Sequence, residues 1–511
     1  MLLIVCFVYS VVAIHHGWQG ELIGPYAFRE AQTAITVNSL LKGGPWLAYE
    51  TPVLGPPWSI PFEFPLYQWI VALVVKSGFI ALDQGGKLVS EMSFFLSLFP
   101  LFKILRFLGL SRRQCHLILA LYCVSPQYLY WSGTFLIEST ALALSLFYLW
   151  LICIFCRQMG EDRADWRVMA GVGLFGTLAG LVKVTTFFAF LVAGFVALAW
   201  HVIRKVRKTG WNRAAVKACV KISAASIVLP ILAVLLWTAY ADSLKVRNPL
   251  GATLVSNALN SWNFGTLAQK ASLTVWKTFY FRTVTDLAGN PFVAAAVVAA
   301  LVFCRRERLK VALVSLGLFV LVLATFTNLQ YVHPYYSYAN GVFLVVALGV
   351  AVTDLLEADR YFKRIAGALL LCLLLGFSCR HFLKQCWPMQ EQVFDFSAIR
   401  NEVESRSSED DVFIVYGNDW SSEIPYHIRR RAVMISNGKT PAALLSVKKN
   451  LAGYRIGGLI FFSRNGYTAK DKNFIDNAVK LWGIAPGYYS IRPWYKYDSL
   501  IFTVYNKAGA R

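Results

Sequence analysis

Residues 25–66 read PYAFREAQTAITVNSLLKGGPWLAYETPVLGPPWSIPFEFPL. The stretch is not a membrane span, although a short apolar segment precedes it and ten candidate spans follow. It carries Arg29, Glu30, Gln32, Lys42, Glu50 and Glu63, with seven prolines and several aromatic residues. A helix is predicted over Arg29–Lys42, with Ala31, Ala34, Ile35, Leu40 and Leu41 as its apolar positions. The proline–aromatic run that follows favours a fixed, extended path. A long ordered loop at a membrane surface is usually functional, and this one reads as the floor of an active site.

The 511 residues are 57% hydrophobic and 15% charged, with a mean hydropathy of +0.51. Many runs approach or exceed the ~18 apolar residues that mark a spanning helix. The chain therefore reads as a polytopic α-helical membrane protein. Its net charge of +22 is explained by position, because the basic residues cluster between spans; nucleic acid is excluded as a partner. The ten cysteines have no zinc-like spacing with histidines and read as small buried hydrophobes. A Cys379–Cys386 disulfide stays open if that side is oxidising. No basic n-region and small-residue cleavage site marks a signal peptide. Met1–Ile14 is short for a span: either His15–Trp18 complete it, or the true start lies upstream.

Eleven spans are expected, near 1–16, 88–107, 115–131, 139–155, 168–182, 185–203, 220–239, 288–304, 310–327, 338–355 and 364–379. Five basic connectors then fall on one side. They are Lys103–Arg113, Arg157–Arg167, Arg204–Lys221, Arg305–Lys310 and Arg360–Arg364, and the positive-inside rule makes that side cytoplasmic. Leu66–Leu82 also looks apolar enough to cross. Crossing would break the parity of every later connector and bury Lys76, so it reads as an interfacial or re-entrant helix on the outer side. The outer face then holds loop 17–87, turns near Glu138 and Lys183, the long loop Ala241–Asp286, the turn Asn328–Tyr338 and the C-terminal region.

From about Arg380 the apolar runs shorten to strand length: VFIVY at Val412, AVMI at Ala432, GGLIFF at Gly457 and SLIFTVY at Ser499. Helix-compatible segments, Thr440–Asn450 and Lys470–Trp482, lie between them. The alternation predicts a small soluble α/β domain. The chain thus divides into a membrane domain over 1–380, with loop 17–87 carrying the site, and a domain over 381–511.

Carboxylates on the outer side are few. Glu30, Glu63 and Glu138 are the catalytic candidates, because a charge at the outer end of a span is costly unless it faces a cavity. Two such groups can serve as general base and as metal ligand or orienting group; Glu30 and Glu138 are the metal-ligand candidates. The alternative is that each pairs with a neighbouring cation. Lys183, in GLVKVTT, is a fixed cation suited to a lipid phosphate or an interfacial lysine reaching for water. Arg29, Lys87 and several cations of the long outer loop suit an anionic ligand or lipid headgroups. His333, Tyr335 and Tyr336, in LQYVHPYYSYANG, read as substrate contacts against the commoner role of aromatic anchors. The GNDW turn at Gly417 reads as structural.

With these pieces placed, the chain resembles GT-C fold glycosyltransferases of the protein O-mannosyltransferase and lipid A aminoarabinose transferase superfamily, in its bacterial branch. FREAQTA (Phe28–Ala34), FEFPLYQW (Phe62–Trp69), Glu138 and the HPYY turn (His333–Tyr336) carry the resemblance, with GLVK at Lys183. It implies a hexosyl or pentosyl transferase that takes a sugar from a polyprenyl-phosphate donor. Transfer is to an acceptor on the non-cytoplasmic face: lipid, glycan or protein. A carboxylate in the first outer loop acts as base, cations hold the donor phosphate, and some members use a divalent metal. It also implies a bacterial inner membrane, with the N-terminus cytoplasmic and the C-terminal domain periplasmic. The Asp–Glu pair of the best-known branch is Arg29–Glu30 here, so either Glu30 or Glu63 is the base, or this branch places it differently.

Three other readings compete. A flippase or transporter of lipid-linked sugars would favour mid-membrane charges and repeated halves, neither of which is seen. A polysaccharide polymerase or ligase shares the donor and the face. A membrane-anchored binding protein would leave the acidic outer loop without a purpose.

Overall fold

The computed structural model describes the chain except residues 23, 25, 161–164, 210–212, 392–395, 418, 437–440, 464–468, 486–500 and 508–511. Pro25, Arg163, Asn418, Ser499 and Leu500 therefore lie outside the described residues. Two compact units form. One comprises Met1–Trp18, Lys87–Thr238 and Asn257–Glu391; the other comprises Gln19–Gly86, Ala239–Ser256 and Gln392–Arg511. The first outer loop thus groups with the C-terminal region, unlike in a division at residue 380.

The first unit is helical. Each of the eleven expected spans is a helix or a broken helix. Among the described residues, seven helices are long and apolar enough to cross a membrane, or eight if Leu273–Ala288 and Pro291–Phe303, bent by 88°, count as one. The helical run Trp166–Thr209 answers to two expected spans, because its backbone leaves the helix at Lys183 (φ −162°, ψ 97°). The β-branched run Val184–Thr186 follows, and such residues are poor at continuing a helix. Gly176 and Gly194 would lie about 27 Å apart on a straight helix. Yet a Cβ on either would meet the ring of Tyr148, at 2.9 and 3.0 Å. The two halves therefore lie side by side as a hairpin whose tip is Lys183. Tyr338–Leu356 is enclosed along its length by other helices.

The basic connectors gather at one end of this unit. Arg308 donates to the carbonyls of Leu108 (3.2 Å) and Gly109 (2.7 Å). Ser111 donates to Glu357 (2.9 Å), Lys363 to the Phe303 carbonyl (3.3 Å) and Lys205 to that of Met159 (2.9 Å). The rings of Phe107 and His201 lie 5.9 Å apart. Helix Glu138–Gly160 starts at Glu138 and ends among these connectors, so Glu138 marks the opposite end. All ten cysteines are free, Cys379 and Cys386 included.

The second unit holds a five-stranded sheet: β1 (Val412–Tyr416), β2 (Arg431–Ile435), β3 (Ile456–Ser463), β4 (Ile484–Ala485) and β5 (Ile501–Lys507), in the order β2-β1-β3-β5-β4. β1 pairs in parallel with β2 and β3; β5 runs antiparallel to β3 and β4. Along β1, Phe413 and Val415 enter one core while Val412, Ile414 and Tyr416 enter another. Burial of both faces explains the unbroken apolar runs. The expected helices appear as Pro441–Asn450 and Ala469–Trp482.

The first outer loop is built into this sheet. The amides of Ala432 and Met434 donate to the carbonyls of Pro52 (3.0 Å) and Val53 (2.8 Å). The loop thereby covers the free edge of β2, an edge that would otherwise invite pairing with another chain. Helix Leu66–Lys76 has 11 residues and reaches about 16 Å, half of a bilayer core. It is not a span. Leu73 on it and Phe79 just beyond it are exposed, and Lys76 sits at its end, 5.4 Å from the Trp46 ring centre.

Candidate functional site

In the first unit, three segments far apart in sequence meet. Glu138 opens its helix, where the amide dipole favours an anion, and it forms an ion pair with Lys183 at the hairpin tip. Both are buried, with 1% and 3% of their side chains exposed. The second carboxylate oxygen of Glu138 has no hydrogen-bond partner. The Lys183 ammonium lies 4.3 Å above the Tyr336 ring centre and 5.4 Å from that of Tyr335. This cation–π contact adds to the ion pair.

The HPYY turn is held by its backbone. Gln127 donates to the Pro334 carbonyl and to Ser337 Oγ, both at 2.9 Å. Gln330 donates to the Tyr336 carbonyl (3.2 Å). Arg282 donates to the carbonyls of Tyr331 (2.8 Å) and Gln330 (2.6 Å). His333 stands with its ring centre 5.2 Å from Tyr335 and 6.0 Å from Trp262. Behind the turn, the Tyr338 hydroxyl bonds to Ser132 (2.8 Å) and Ser139 (3.1 Å). Lys87, expected as a ligand cation, is buried instead against the carbonyls of Gly17 (2.7 Å) and Trp18 (3.4 Å).

In the second unit, helix Ala27–Leu41 carries Arg29 and Glu30 on consecutive positions. Arg29 donates to Gln32 (2.5 Å) and pairs with Glu63. Glu63 is thus a counterion of Arg29, and Glu30, on the same helix, is buried, 7% exposed. Tyr49 fixes the Glu63 segment: its hydroxyl donates to the Glu63 carbonyl (3.0 Å) and accepts from the Phe62 amide (2.7 Å). Burial raises the Tyr49 hydroxyl pKa above the ordinary range.

Several residues here escape sequence reasoning. Trp420, from the GNDW turn, packs on Phe28 (4.7 Å) and Phe62 (5.4 Å), the opening residues of two of the motifs. Lys245 pairs with Asp242 (2.8 Å) and lies 5.0 Å from the Phe62 ring centre. Asn248, fully buried, donates to the carbonyls of Leu54 (3.3 Å), Gly55 (2.7 Å) and Pro57 (3.1 Å). Its oxygen accepts from the amides of Leu250 (2.9 Å) and Gly251 (2.8 Å). In the sequence Lys245 reads as one of the outer-loop cations suited to an anionic ligand, whereas Asn248 carries no signal beyond its place in that loop.

At Glu138 a divalent metal does not fit. Glu138 already holds an ammonium group, which would repel a dication at the same carboxylate. Among the described residues, no three His, Cys, Asp or Glu side chains gather as ligands.

No family model matches the chain, and no curated protein matches it in sequence. Solved structures do match. ArnT from Cupriavidus metallidurans bound to undecaprenyl phosphate gives a TM-score of 0.62 at 12% identity, over 99% of this chain and 98% of that one. The archaeal oligosaccharyltransferase AglB from Archaeoglobus fulgidus, in complex with an inhibitory peptide and a dolichol-phosphate, gives 0.56 at 11%, over 98% and 74%. The arabinofuranosyltransferase AftD from Mycobacteria gives 0.56 at 13%, over 100% and 42%. At these identities the likeness is one of fold. The polytopic membrane fold with an added domain, expected from the GT-C resemblance, is the fold found.

Proposed function

We propose that the protein is an integral membrane glycosyltransferase that moves a sugar from a polyprenyl-phosphate donor to an acceptor. The observation that carries this reading is the meeting of Glu138, Lys183 and Tyr335–Tyr336 in one buried cluster, at the end of the helices away from the basic connectors. The fold supports it, since ArnT was solved with undecaprenyl phosphate. The positive-inside rule favours the cytoplasm for the connectors' end, which supports a cluster that faces the other side. On the bacterial reading, the protein sits in the inner membrane and its C-terminal domain is periplasmic.

Transfer needs a base for the acceptor and a cation for the leaving phosphate. Glu30 is the proposed base. Its neighbour Arg29 pairs with Glu63, which supports Glu30 ahead of Glu63. Lys183 is the proposed phosphate-holding cation. Glu138 pairs with it and the two tyrosine rings lie against it, leaving ammonium protons for phosphate oxygens. The base takes the acceptor hydroxyl proton, the acceptor oxygen bonds to the anomeric carbon, and the sugar–phosphate bond breaks with its electron pair leaving on the lipid phosphate.

The test is turnover of labelled undecaprenyl-phosphate sugars by the full chain in lipid, wild type against Glu30→Gln. Release of polyprenyl phosphate by wild type, lost in a folded Glu30→Gln, supports the reading and its base. Passage of intact lipid-linked sugar across the bilayer without release would overturn it in favour of a flippase.

A further inference from the structure

The second unit contains an open cleft that the proposed chemistry does not use. It has two lobes, of about 440 and 720 Å3, within the usual size range of ligand pockets. Both lobes are lined by Asn38, Lys42, Glu409, Tyr426, Arg429 and Arg430, so they form one trough. One wall is the distal half of helix Ala27–Leu41, the helix that carries Glu30. Glu30 lies eight residues from Asn38, about 12 Å along the helix axis.

The cleft is rich in charge yet balanced: five Lys or Arg and six Asp or Glu side chains line it among the described residues. A strongly anionic ligand gains no net attraction from such a lining. Several lining groups are satisfied: Lys42 pairs with Glu409, Arg400 donates to the His427 carbonyl and Arg430 to the Ser407 carbonyl. Among the described residues, two guanidinium groups have no such hydrogen bond. Arg429 comes no closer than 3.9 Å to Glu404, and Arg431 no closer than 3.6 Å to Glu50, both beyond hydrogen-bond reach. Their side chains are 61% and 40% exposed. Arg429 also adopts φ 54°, ψ 38° where its helix ends. Glycine is the usual residue at such a position, yet here it carries a guanidinium beside the cleft. Asp410 and Asn38 supply acceptors on the same surface. Planar donors and acceptors in balance suit a ligand whose own groups both donate and accept, as the hydroxyls of a sugar do.

We propose that this cleft binds the acceptor, and that the acceptor is an oligosaccharide without a large net charge. Its chain lies along helix Ala27–Leu41, with Arg429 and Arg431 donating to its hydroxyls and Asp410 accepting from them. The inference rests on the glycosyltransferase reading for the word acceptor, and on the cleft alone for the ligand class.

The experiment uses the full chain in lipid nanodiscs and a set of neutral tri- to pentasaccharides of hexoses and N-acetylhexosamines, with inorganic phosphate as competitor. Wild type, Arg429→Gly, Arg431→Ala and Asp410→Asn are compared. Glycine suits the backbone at residue 429, so loss of binding there is not loss of fold. Retention of one or more oligosaccharides by wild type, reduced at least tenfold in Arg429→Gly and undisturbed by millimolar phosphate, is the expected result. Retention of none, equal retention by all variants, or displacement by phosphate would each overturn the proposal. Donor turnover is measured on the same samples. Binding without turnover removes the enzyme and keeps the cleft; turnover unaffected by the cleft variants removes the cleft and keeps the enzyme.

Discussion

Lys183, at the tip of a helical hairpin, is ion-paired with Glu138; both are buried, and the Lys183 ammonium lies against the HPYY turn. Removing one partner of a buried pair leaves an uncompensated charge, at a cost of about 3–5 kcal/mol. Lys183→Met and Glu138→Gln should each lower the thermal midpoint in detergent. The double variant should lose much less than the sum of the two, because no charge is stranded. It should nevertheless fail to release polyprenyl phosphate if Lys183 holds the donor. A double variant that is stable and active would reduce the pair to a structural role.

Asn248 is the clamp on the first outer loop. Its amide serves three loop carbonyls and its oxygen two amides of its own turn. Asn248→Ala leaves these groups short of partners in a buried place, costing about 2–4 kcal/mol. The loss should be local. Hydrogen exchange over residues 50–60 and at Ala432 and Met434 should accelerate, while the spans Glu138–Met159 and Tyr338–Leu356 keep their protection. Unchanged exchange at residues 50–60 would show that the strand pairing of Pro52 and Val53 holds the loop unaided.

The parts legible in the sequence are those where chemistry contrasts with its surroundings. Lys183 and Glu138 stand out because a charge beside an apolar run is costly. Basic connectors reveal which helix ends lie together, and the 11-residue reach of Leu66–Lys76 agrees with the parity argument that denied it a crossing. Strands β1, β2, β3 and β5 show as short apolar runs. What the sequence hides is pairing through the backbone. The Pro52 and Val53 carbonyls meet amides some 380 residues away, and no side-chain period announces it. Lys87 shows the converse: it reads as a ligand cation, yet it is engaged by two carbonyls of the N-terminal segment, acceptors that composition cannot reveal.

The Arg29–Glu63 pair separates the two base candidates. General-base catalysis is worth ~10²–10⁴-fold, so Glu30→Gln should lower single-turnover donor consumption by about a thousandfold. Glu63→Gln frees Arg29 without removing the base and should cost about tenfold or less. Removing both charges, as Arg29→Gln with Glu63→Gln, should recover part of that loss. The reverse order, with Glu63→Gln the more damaging, would transfer the role of base to Glu63.

His427 gives the second unit a pH dependence of defined sign. Its ring is buried, stacked 3.9 Å from Phe396 and bonded to the Leu22 carbonyl (3.2 Å). Burial depresses its pKa to about 4, with Arg400 adding in the same direction and the Leu22 carbonyl opposing. The unfolded chain takes up a proton near pH 6.5, and the folded chain resists it until about pH 4. Stability is therefore full above pH 6.5 and falls as pH drops through that window, by up to about 3 kcal/mol. Hydrogen exchange in β1 and β2, followed from pH 7 to pH 4 and corrected for the intrinsic rate, reads this loss. His427→Phe keeps the stacked ring, removes the titration and should flatten the profile. A wild-type profile already flat would mean that the His427 ring takes up its proton without opening the unit.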